Sequence, residues 1–360
     1  MAGQLRIGID ARAAAEEPAG RGRYVRELLR ELERDGRGHE FRLYARTPWD
    51  VALDWQLVDA PDPLWHVRAA RAVSRDCDVL LSTNSYLTAW FTSVPTVVVV
   101  HDLVPWMPAM HPQRRAALIE RATIRPALRR AAAAICVSRS TEHDLVARFP
   151  TAAGKTAVVP HGVSGELDHE PSATELDEVR RRLELPDRFV LATGTVEPRK
   201  NLPRLIEAHR GLPDAPPLLV AGPRGWEVER ALAGTGERVR LLGFVSDADL
   251  VVLYRLCTVF AYPSLYEGFG LPLAEAMRCG AACLTSNLSS LPEVGGDAVV
   301  YADPLDTASI RAGLERLLAS DEERRALGQR ARERAAGFTW RRTAAETLEV
   351  LEQAAAARRR

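Results

Sequence analysis

The chain has 360 residues, with 48 basic and 48 acidic side chains and a formal net charge of zero at pH 7. Because this length exceeds what one hydrophobic core usually supports, two domains are expected. Hydrophobic residues make up 46% of the chain and charged residues 27%, which is typical of a globular protein, and the balanced charge gives no argument for a nucleic-acid partner.

Cysteine usage and the start of the chain bear on the cellular compartment. The five cysteines are odd in number and include no CxxC pair, so neither a disulfide framework nor a zinc site is predicted. Met1 leads directly to an apolar segment at Leu5, which is not a signal peptide, and no apolar run approaches the roughly 20 residues of a membrane span. These features predict a cytoplasmic protein with reduced, buried thiols.

Short apolar segments alternate with helical patterns along the chain. They are Leu5–Ile9, Phe41–Tyr44, Val79–Leu81, Thr96–Val100, Ala133–Val137 and Ala157–Val159, then Phe189–Ala192, Pro217–Ala221, Val239–Leu242, Val259–Tyr262, Ala282–Thr285 and Val299–Tyr301. This alternation predicts an α/β protein with parallel sheets built from βαβ units. Two Rossmann-like domains with six strands each are expected, at residues 1–165 and 166–345. A C-terminal helix or tail, 346–360, could pack back on the first domain.

In open parallel sheets, ligands bind beyond the carboxyl ends of the strands, so a site is expected on the loops after the strands. After the first strand, Gly20 and Gly22 open a helix where a ligand could approach the backbone. The string GRGRY lacks the third glycine of the dinucleotide fingerprint. After the fourth strand, His101 and Asp102 form either a hydrogen-bonded turn or part of a site.

The next segment is rich in arginine. Arg121, Arg125 and Arg129 are spaced four residues apart, and only Glu120 opposes the positive charge of this stretch. Such a helix face is either solvated or a surface for anionic lipid or a phosphorylated acceptor. In the second case, Arg114–Arg130 would hold the protein peripherally at the inner face of the membrane.

The loop after the seventh strand carries Arg199 and Lys200 just before a helical pattern. Paired cations at the carboxyl end of a strand could clamp a pyrophosphate, with arginine as a bidentate fork and lysine as a point charge. Lysine is otherwise found only at Lys155, since the other 46 basic residues are arginines. This bias favours a functional role for Lys200 over an exposed basic turn.

The loop after the ninth strand has two features. Phe244 and Val245 could flank a nucleobase. Asp247 and Asp249 form a D-x-D pair, which can hold a divalent cation, but Ser246 before two acids is more typical of a helix N-cap with acids in its first turn. No metal site is therefore expected.

The segment SLYEGFGLPLAEAMRCG, residues 264–280, places Glu267 and Glu275 eight positions apart. A glycine-rich turn follows a predicted strand, and Pro272 is expected at the first position of a helix, which places Glu275 in the first turn. A carboxylate accepts two hydroxyl hydrogen bonds, so the pair suits the vicinal diols of a ribose or a hexose. Glu275 alone would be an ordinary acid of a first helical turn.

This segment resembles the E-x7-E signature of family 4 glycosyltransferases, which are retaining enzymes of GT-B fold, with two Rossmann-like domains whose parallel sheets face across a cleft. The strings G-x-G-R-Y, H-D and E-P-R-K-N extend the resemblance over roughly Leu5 to Arg341. It implies a hexosyltransferase that uses a nucleoside-diphosphate sugar as co-substrate and no cofactor or metal. Sequences with E-P-R-K-N resemble mannosyl- or rhamnosyltransferases of polysaccharide biosynthesis, which implies GDP-mannose as donor and a glycan or lipid-linked acceptor.

The resemblance also implies roles at the reaction centre. His101 and Glu267 are expected on the hydroxyls of the donor sugar, with Asp102 supporting them, and Glu275 on the ribose. The implied mechanism is front-face transfer with retention at the anomeric carbon, in which cations and helix N-termini stabilise the leaving phosphate and no enzyme carboxylate attacks.

Arg199 and Lys200 are expected on the phosphates of the donor. The other residues predicted to bind the donor are Gly20, Gly22, Thr195, Phe244, Val245, Gly268, Phe269, Gly270 and Leu271. Thr195 departs from the pattern, because many relatives carry arginine at this position, and Arg199 is then the candidate for the second phosphate cation.

Three other classes of protein are alternatives to a glycosyltransferase. A nicotinamide oxidoreductase would need the full dinucleotide fingerprint, and a GT-B phosphorylase would need a pyridoxal-phosphate lysine and a longer chain. A catalytically silent GT-B relative, acting as a nucleotide-binding or partner protein, is the main alternative. The intact Glu267, Glu275, His101 and Lys200 argue against it.

Overall fold

The computed structural model describes residues 3–17, 20–107, 110, 114–223, 225 and 238–359. The chain forms two compact units. One comprises Met1–Gly162 together with Trp340–Arg360, and the other comprises Val163–Thr339. The sequence predicts domain boundaries after residues 165 and 345. In the structure the chain passes from one unit to the other after residues 162 and 339.

The first unit is built on a parallel sheet. In the described part of the chain it has seven strands in the order β3-β2-β1-β4-β5-β6-β7. The strands are β1 (Arg6–Asp10), β2 (Glu40–Ala45), β3 (Asp54–Leu57), β4 (Val79–Ser82), β5 (Thr96–Val100), β6 (Ala133–Cys136) and β7 (Thr156–Val158). The central strands β4 and β5 are buried along their whole length, which explains why their sequences are continuously apolar.

The edge strand β3 corrects the prediction of six strands for this unit. It pairs with β2 in parallel, from Arg42 with Asp54 to Ala45 with Leu57. Its sequence, DWQL, is partly or fully exposed at every position. An edge strand contacts one neighbour and can remain polar, so β3 lacks the apolar pattern by which the other strands were predicted.

Helices cover the first sheet. They are α1 (Arg12–Glu16), α2 (Arg21–Arg34), α3 (Leu64–Asp76), α4 (Thr88–Phe91), α5 (Arg114–Arg130) and α6 (Arg139–Arg148). Ser138 is the N-cap of α6, and its side chain accepts a hydrogen bond from the N–H of Thr141 (3.0 Å). The last helix, α14 (Trp340–Arg359), returns to this unit and packs against α2, and the ring of Trp340 lies 5.9 Å from that of Tyr24.

The second unit has the six parallel strands that the sequence predicts, within the residues described. Their order is β10-β9-β8-β11-β12-β13. The strands are β8 (Val190–Thr193), β9 (Leu218–Ala221), β10 (Val239–Gly243), β11 (Val259–Tyr262), β12 (Cys283–Ser286) and β13 (Val300–Ala302). The helices are α7 (Ala173–Arg182), α8 (Leu202–Arg210), α9 (Asp247–Leu256), α10 (Leu271–Arg278), α11 (Leu291–Gly295), α12 (Thr307–Ala319) and α13 (Asp321–Ala335).

The cysteines match their predicted character. All five are free thiols, and four of them are buried. Among the described helices, none is both long enough and apolar enough to cross a bilayer. Each unit is thus a parallel sheet covered by helices, which is the Rossmann-like domain that the sequence predicts.

Candidate active site

The predicted site residues of the second unit gather at the carboxyl edge of its sheet. Strands β8 and β11 are direct neighbours at the centre of this sheet. The loop after β8 carries Arg199 and Lys200, and the loop after β11 carries Glu267. Because the strands are parallel, both loops leave from the same edge.

Glu267 is buried, and hydrogen-bond donors surround its carboxylate. Lys200 Nζ donates to Oε1 over 2.7 Å, the Tyr262 hydroxyl donates to the same oxygen over 2.8 Å, and Arg199 pairs with Oε2. Burial alone would raise the pKa of Glu267, but the charges of Arg199 and Lys200 outweigh it and hold the pKa at about 2. Glu267 is therefore ionised throughout the physiological pH range.

Both cations of the loop after β8 are engaged with carboxylates. Arg199 lies between Glu267 and Glu197, with its Nη2 atom 2.5 Å from Glu197 Oε1. Burial and the charge of Arg199 lower the pKa of Lys200, whereas Glu267 opposes this shift. These two cations and two carboxylates sum to a net formal charge of zero. A dianionic pyrophosphate at this site would therefore have to compete with a carboxylate for each cation.

Helix α10 begins one residue earlier than the sequence predicts. Gly270, in a left-handed conformation (φ 100°), is the N-cap, so Leu271 is the first helical residue and Pro272 the second. A Cβ atom on Gly270 would lie 2.7 Å from the side chain of Leu291, so both the conformation and the packing require glycine. Glu275 lies in the second turn, and the expectation of the first turn was wrong.

The side chain of Glu275 is buried and held from the neighbouring helix α9. The hydroxyl of Tyr254 donates a hydrogen bond to its Oε2 atom over 3.2 Å. The hydroxyl of Tyr254 also lies 3.4 Å from Thr193 Oγ1, at the end of β8. Glu275 is thus connected to the strand that precedes Arg199 and Lys200.

The remaining predicted donor-binding residues of the second unit lie on loops of the same sheet or at the start of α10. Gly268 is buried, Thr195 and Leu271 are half-buried, and the ring of Phe269 is buried edge-on against Phe338 at 5.5 Å. Phe244 follows β10 and is 77% exposed, so its ring face is available for stacking, and Val245 beside it is half-buried.

The D-x-D pair after β10 is a helix N-cap, as the sequence predicts. Ser246 is the N-cap of α9, and its Oγ atom accepts a hydrogen bond from the N–H of Asp249 over 3.1 Å. The carboxylate of Asp249 pairs with Arg182 of α7. Asp76 and Asp78, just before β4, form a second D-x-D pair, and Asp76 pairs with Arg75 at 2.8 Å.

In the first unit, His101 is buried at the end of β5. Its Nε2 atom lies 2.9 Å from the carbonyl oxygen of Thr83. A carbonyl can only accept, so Nε2 carries the proton and Nδ1 is the acceptor of the ring. Burial and the charge of Arg21 lower the pKa of His101 to about 3. The imidazole is therefore neutral and suited to accept a hydrogen bond from a hydroxyl.

Asp102 and the two glycines at the start of α2, Gly20 and Gly22, have local structural roles. Asp102 Oδ1 accepts a hydrogen bond from the N–H of Val104 over 3.0 Å. This contact forms the hydrogen-bonded turn that was one of the two interpretations of the His101–Asp102 pair. Gly20 is the residue before α2 and has φ 55°. A Cβ atom on Gly22 would lie 1.8 Å from the carbonyl oxygen of Glu17, so close packing of the loop requires glycine there.

Several residues of the site were not predicted. They are Glu197, Asn201, Tyr254, Tyr262, Ser289 and Ser290. Glu197 and Asn201 flank the predicted cations within the E-P-R-K-N string, and this string is the signal that could have identified them. The two serines come from the loop after β12, and their sequence contains no pattern that links them to Glu267.

The chain matches two glycosyltransferase families. Residues 175–334, in the second unit, match "Glycosyl transferases group 1", and residues 18–167 match "Glycosyltransferase Family 4". The second match covers His101 and Asp102, and the first covers Lys200, Glu267 and Glu275.

The chain is also similar to individual glycosyltransferases. The O-antigen chain mannosyltransferase B of Escherichia coli is 36% identical over an alignment of 267 residues that covers 70% of this chain and 68% of that protein. The serotype-specific mannosyltransferase WbdA of Escherichia coli is 34% identical over 71% of this chain, but the match spans only 33% of WbdA. The structure of a sucrose-phosphate synthase from Thermosynechococcus elongatus superposes with a TM-score of 0.82 at 22% identity, covering 98% of this chain and 100% of that chain. This last similarity shows the fold of the chain, which is the GT-B fold that the sequence predicts.

Proposed function

The chain belongs to glycosyltransferase family 4, and from this premise we propose that it transfers mannose from GDP-mannose to a glycan or lipid-linked acceptor, with retention of the anomeric configuration. The observation that carries the proposal is the buried, ionised Glu267 paired with Lys200 at the carboxyl edge of the second sheet. In such a pair the carboxylate can accept hydrogen bonds from sugar hydroxyls, while the cation beside it can bind phosphate. The mannose assignment rests on the two mannosyltransferases to which the chain is similar.

Each part of the donor has a proposed ligand. Lys200 and Arg199 neutralise the charge that grows on the nucleoside diphosphate as it leaves. Removing one such preorganised contact typically costs about 3 kcal/mol of transition-state stabilisation. Glu275 binds the ribose diol, and Phe244 and Val245 flank the base.

Glu267 is proposed to bind hydroxyls of the donor sugar, and the same role is proposed for the neutral ring of His101. His101 accepts a sugar hydroxyl at Nδ1, because Nε2 is committed to Thr83. The acceptor hydroxyl attacks the anomeric carbon from the face that the phosphate leaves and gives its proton to the departing phosphate oxygen, so no bond forms between the sugar and an enzyme carboxylate. Glu267 stabilises the positive charge that builds on the sugar as the glycosidic bond breaks.

We also propose that α5 contacts an anionic membrane, which suits a lipid-linked acceptor. Leu118 and Ile119 on this helix are 69% and 49% exposed, and Arg125 and Arg129 are exposed with them. Exposed apolar and basic side chains on one helix are typical of helices that lie at a membrane surface. Glu120, the one acid in α5, is neutralised by Arg21 at 2.7 Å. The side chain of Arg114 lies outside the described residues.

A two-stage experiment tests the donor proposal. Thermal unfolding is first measured with GDP, UDP and ADP, since a ligand at 100 times its Kd stabilises by about 2.7 kcal/mol. We expect GDP to give the largest shift. GDP-mannose, UDP-glucose and UDP-galactose are then compared by release of the nucleoside diphosphate. A protein that neither binds a nucleoside diphosphate nor consumes a nucleotide sugar would contradict the proposal and favour a catalytically silent relative.

A further inference from the structure

We propose that Asn201, Ser289 and Ser290 are positioning residues that hold Glu267 and Lys200 in register for sugar transfer. The inference rests on the proposed function and adds three residues to its machinery. Asn201 directly follows Lys200 in the chain, and the two serines follow β12. Their polar groups are directed at the loops that carry the site.

Asn201 is buried and adopts a left-handed conformation (φ 59°, ψ 29°) between a 3-10 turn, Pro198–Lys200, and α8. Its Nδ2 atom donates to the carbonyl oxygens of Pro263 (3.0 Å) and Pro304 (2.7 Å). Its Oδ1 atom accepts from Arg204 at 3.0 Å. Both amide hydrogens and the amide oxygen are therefore used.

These contacts join three loops at the carboxyl edge of the sheet. Pro263 begins the loop that carries Glu267, and Pro304 lies on the loop after β13. A second connection lies beside the first, because the N–H of Leu265 donates to the carbonyl oxygen of Arg199 over 2.7 Å. The loop with the cations and the loop with the carboxylate are thus joined on both sides of Lys200.

The two serines fix the main chain of Glu267 itself. Ser289, also left-handed (φ 54°), accepts the N–H of Glu267 at its Oγ atom over 3.1 Å. Ser290 is fully buried, and its hydroxyl lies within hydrogen-bond distance of the carbonyl oxygens of Glu267 (3.0 Å) and Phe269 (2.8 Å). Side chains of the loop after β12 therefore hold both polar groups of the Glu267 peptide units.

The chemistry of Asn201 distinguishes positioning from simple chain reversal. Glycine adopts the left-handed conformation readily, so a position that needed only this conformation would accept glycine. Aspartate also tolerates the conformation, but its carboxylate would face two carbonyl oxygens without a hydrogen to donate. A displacement of about 1 Å between reacting groups can cost a factor of about 100 in rate. The Asn201 amide is thus placed to control the separation of Lys200 and Glu267.

The test compares Asn201→Gly, Asn201→Asp and Ser290→Ala with Ser320→Ala. Ser320 caps α13 through a 3.1 Å hydrogen bond from the N–H of Glu323, so its loss destabilises the same unit away from the site. We expect kcat/KM to fall about 10- to 100-fold in the Asn201 variants and about tenfold in Ser290→Ala, and to change less than about twofold in Ser320→Ala. Ser290→Ala remains informative if an Asn201 variant fails to fold.

A double-mutant cycle separates positioning from loss of stability. If Asn201 acts through the ion pair, Asn201→Gly should lower kcat/KM less than about twofold when Glu267→Gln is already present. The inference would be overturned if the reductions in kcat/KM caused by Asn201→Gly and Glu267→Gln multiplied fully in the double variant. Equal reductions in kcat/KM in Asn201→Gly and Ser320→Ala would also overturn it.

Failure of the proposed function can be distinguished from failure of this inference. If the wild-type protein consumed no nucleotide sugar, the proposed function would be wrong. The inference would then be tested by calorimetry with GDP, in which Asn201→Gly should bind more weakly than Ser320→Ala because Lys200 is displaced. Equal dissociation constants for GDP in the two variants, or no binding of GDP by the wild type, would contradict the inference.

Discussion

Lys200 Nζ lies 2.7 Å from Glu267 Oε1, so a residue predicted to bind phosphate and a residue predicted to bind sugar hydroxyls form one ion pair. The two roles are therefore coupled, because each side chain sets the charge and the position of the other. Groups in direct contact show non-additive effects when they are substituted. Variants of this pair have to be interpreted together.

Glu197→Gln should tighten the binding of GDP. Glu197 competes with phosphate for Arg199, because its carboxylate lies 2.5 Å from Arg199 Nη2. Removal of this charge releases the guanidinium while preserving the volume of the side chain. We expect a decrease in Kd of severalfold by calorimetry, on the order of 1 kcal/mol for a partly exposed pair. Unchanged or weaker binding would mean that Arg199 is not a phosphate ligand.

Activity and stability should respond differently to acid. Burial lowers the pKa of His66 to about 4 and that of His101 to about 3, and it also lowers the pKa of His161. A histidine whose pKa is lower in the folded state binds its proton preferentially in the unfolded state. Stability should therefore fall as the pH decreases below about 6.5, by up to about 1.4 kcal/mol per pH unit for each such histidine. The measurement is urea unfolding at pH 7 and pH 5.

The turnover number should change little over the same range. His101 is already neutral, and Glu267, with a pKa of about 2, keeps its charge over this range. Its contribution to stability is lost only at lower pH, as the pH falls from its ordinary pKa of 4.5 to about 2. A kinetic pKa near 6.5 in kcat that disappears in His101→Gln would show that His101 titrates in the working enzyme. Equal stability at pH 7 and pH 5 would contradict the burial of neutral histidines.

The sequence predicts the buried strands well and the polar one poorly. Thr96–Val100 is apolar at four of five positions because both faces of β5 are covered, and its observed bounds equal the predicted ones. Strand β3 is held by main-chain pairing with β2, which places little demand on side chains. Its four residues, DWQL, therefore contain no pattern that a sequence-based prediction can detect.

The candidate site shows the same division between local and long-range information. The spacing of Glu267 and Glu275 and the cations at Arg199 and Lys200 can be read from single loops. The pairing of Lys200 with Glu267 joins residues 67 positions apart and depends on β8 and β11 being neighbours. Strand order is a property of the whole sheet. The sequence consequently predicted the residues of this pair but not the pair itself.

Transfer should not require a divalent metal. Arg199 and Lys200 are proposed to supply the positive charge that a metal would otherwise provide at the leaving phosphate. We expect the turnover number in excess EDTA to remain within about twofold of that in buffer, and Asp249→Asn to retain activity because Asp249 pairs with Arg182. Loss of turnover in chelator that Mn²⁺ restores would refute the cation-based account and assign a metal to a D-x-D pair.

Binding to anionic vesicles should depend on α5. Arg125→Gln with Arg129→Gln should weaken binding to vesicles that contain phosphatidylglycerol, by about fivefold for each arginine, since a basic residue near a charged leaflet contributes about 1 kcal/mol. Leu118→Ser should also weaken it. Leu57→Ser is the matched control, because Leu57 is 57% exposed in the same unit but lies on β3. Binding that is no stronger with anionic than with neutral vesicles would indicate a solvated helix face.

Glu267→Gln and Glu275→Gln should have different kinetic effects. Glu275 is proposed to bind the ribose, which is present in both the ground state and the transition state, so its substitution should raise the KM for the donor more than it lowers kcat. Glu267 is proposed to act on the sugar, where charge develops, and its substitution should lower kcat by a factor of about 100 or more.

The two variants should also differ in their affinity for GDP, which has no sugar. Glu275→Gln should bind GDP more weakly than the wild type. Glu267→Gln should bind it equally well or more tightly, because Lys200 is no longer paired with a carboxylate and its charge is available to phosphate. Calorimetry with GDP and steady-state kinetics with the donor measure both effects. If both variants bound GDP normally and turned over within a few-fold of the wild type, the buried carboxylates would serve only to stabilise the loop and α10.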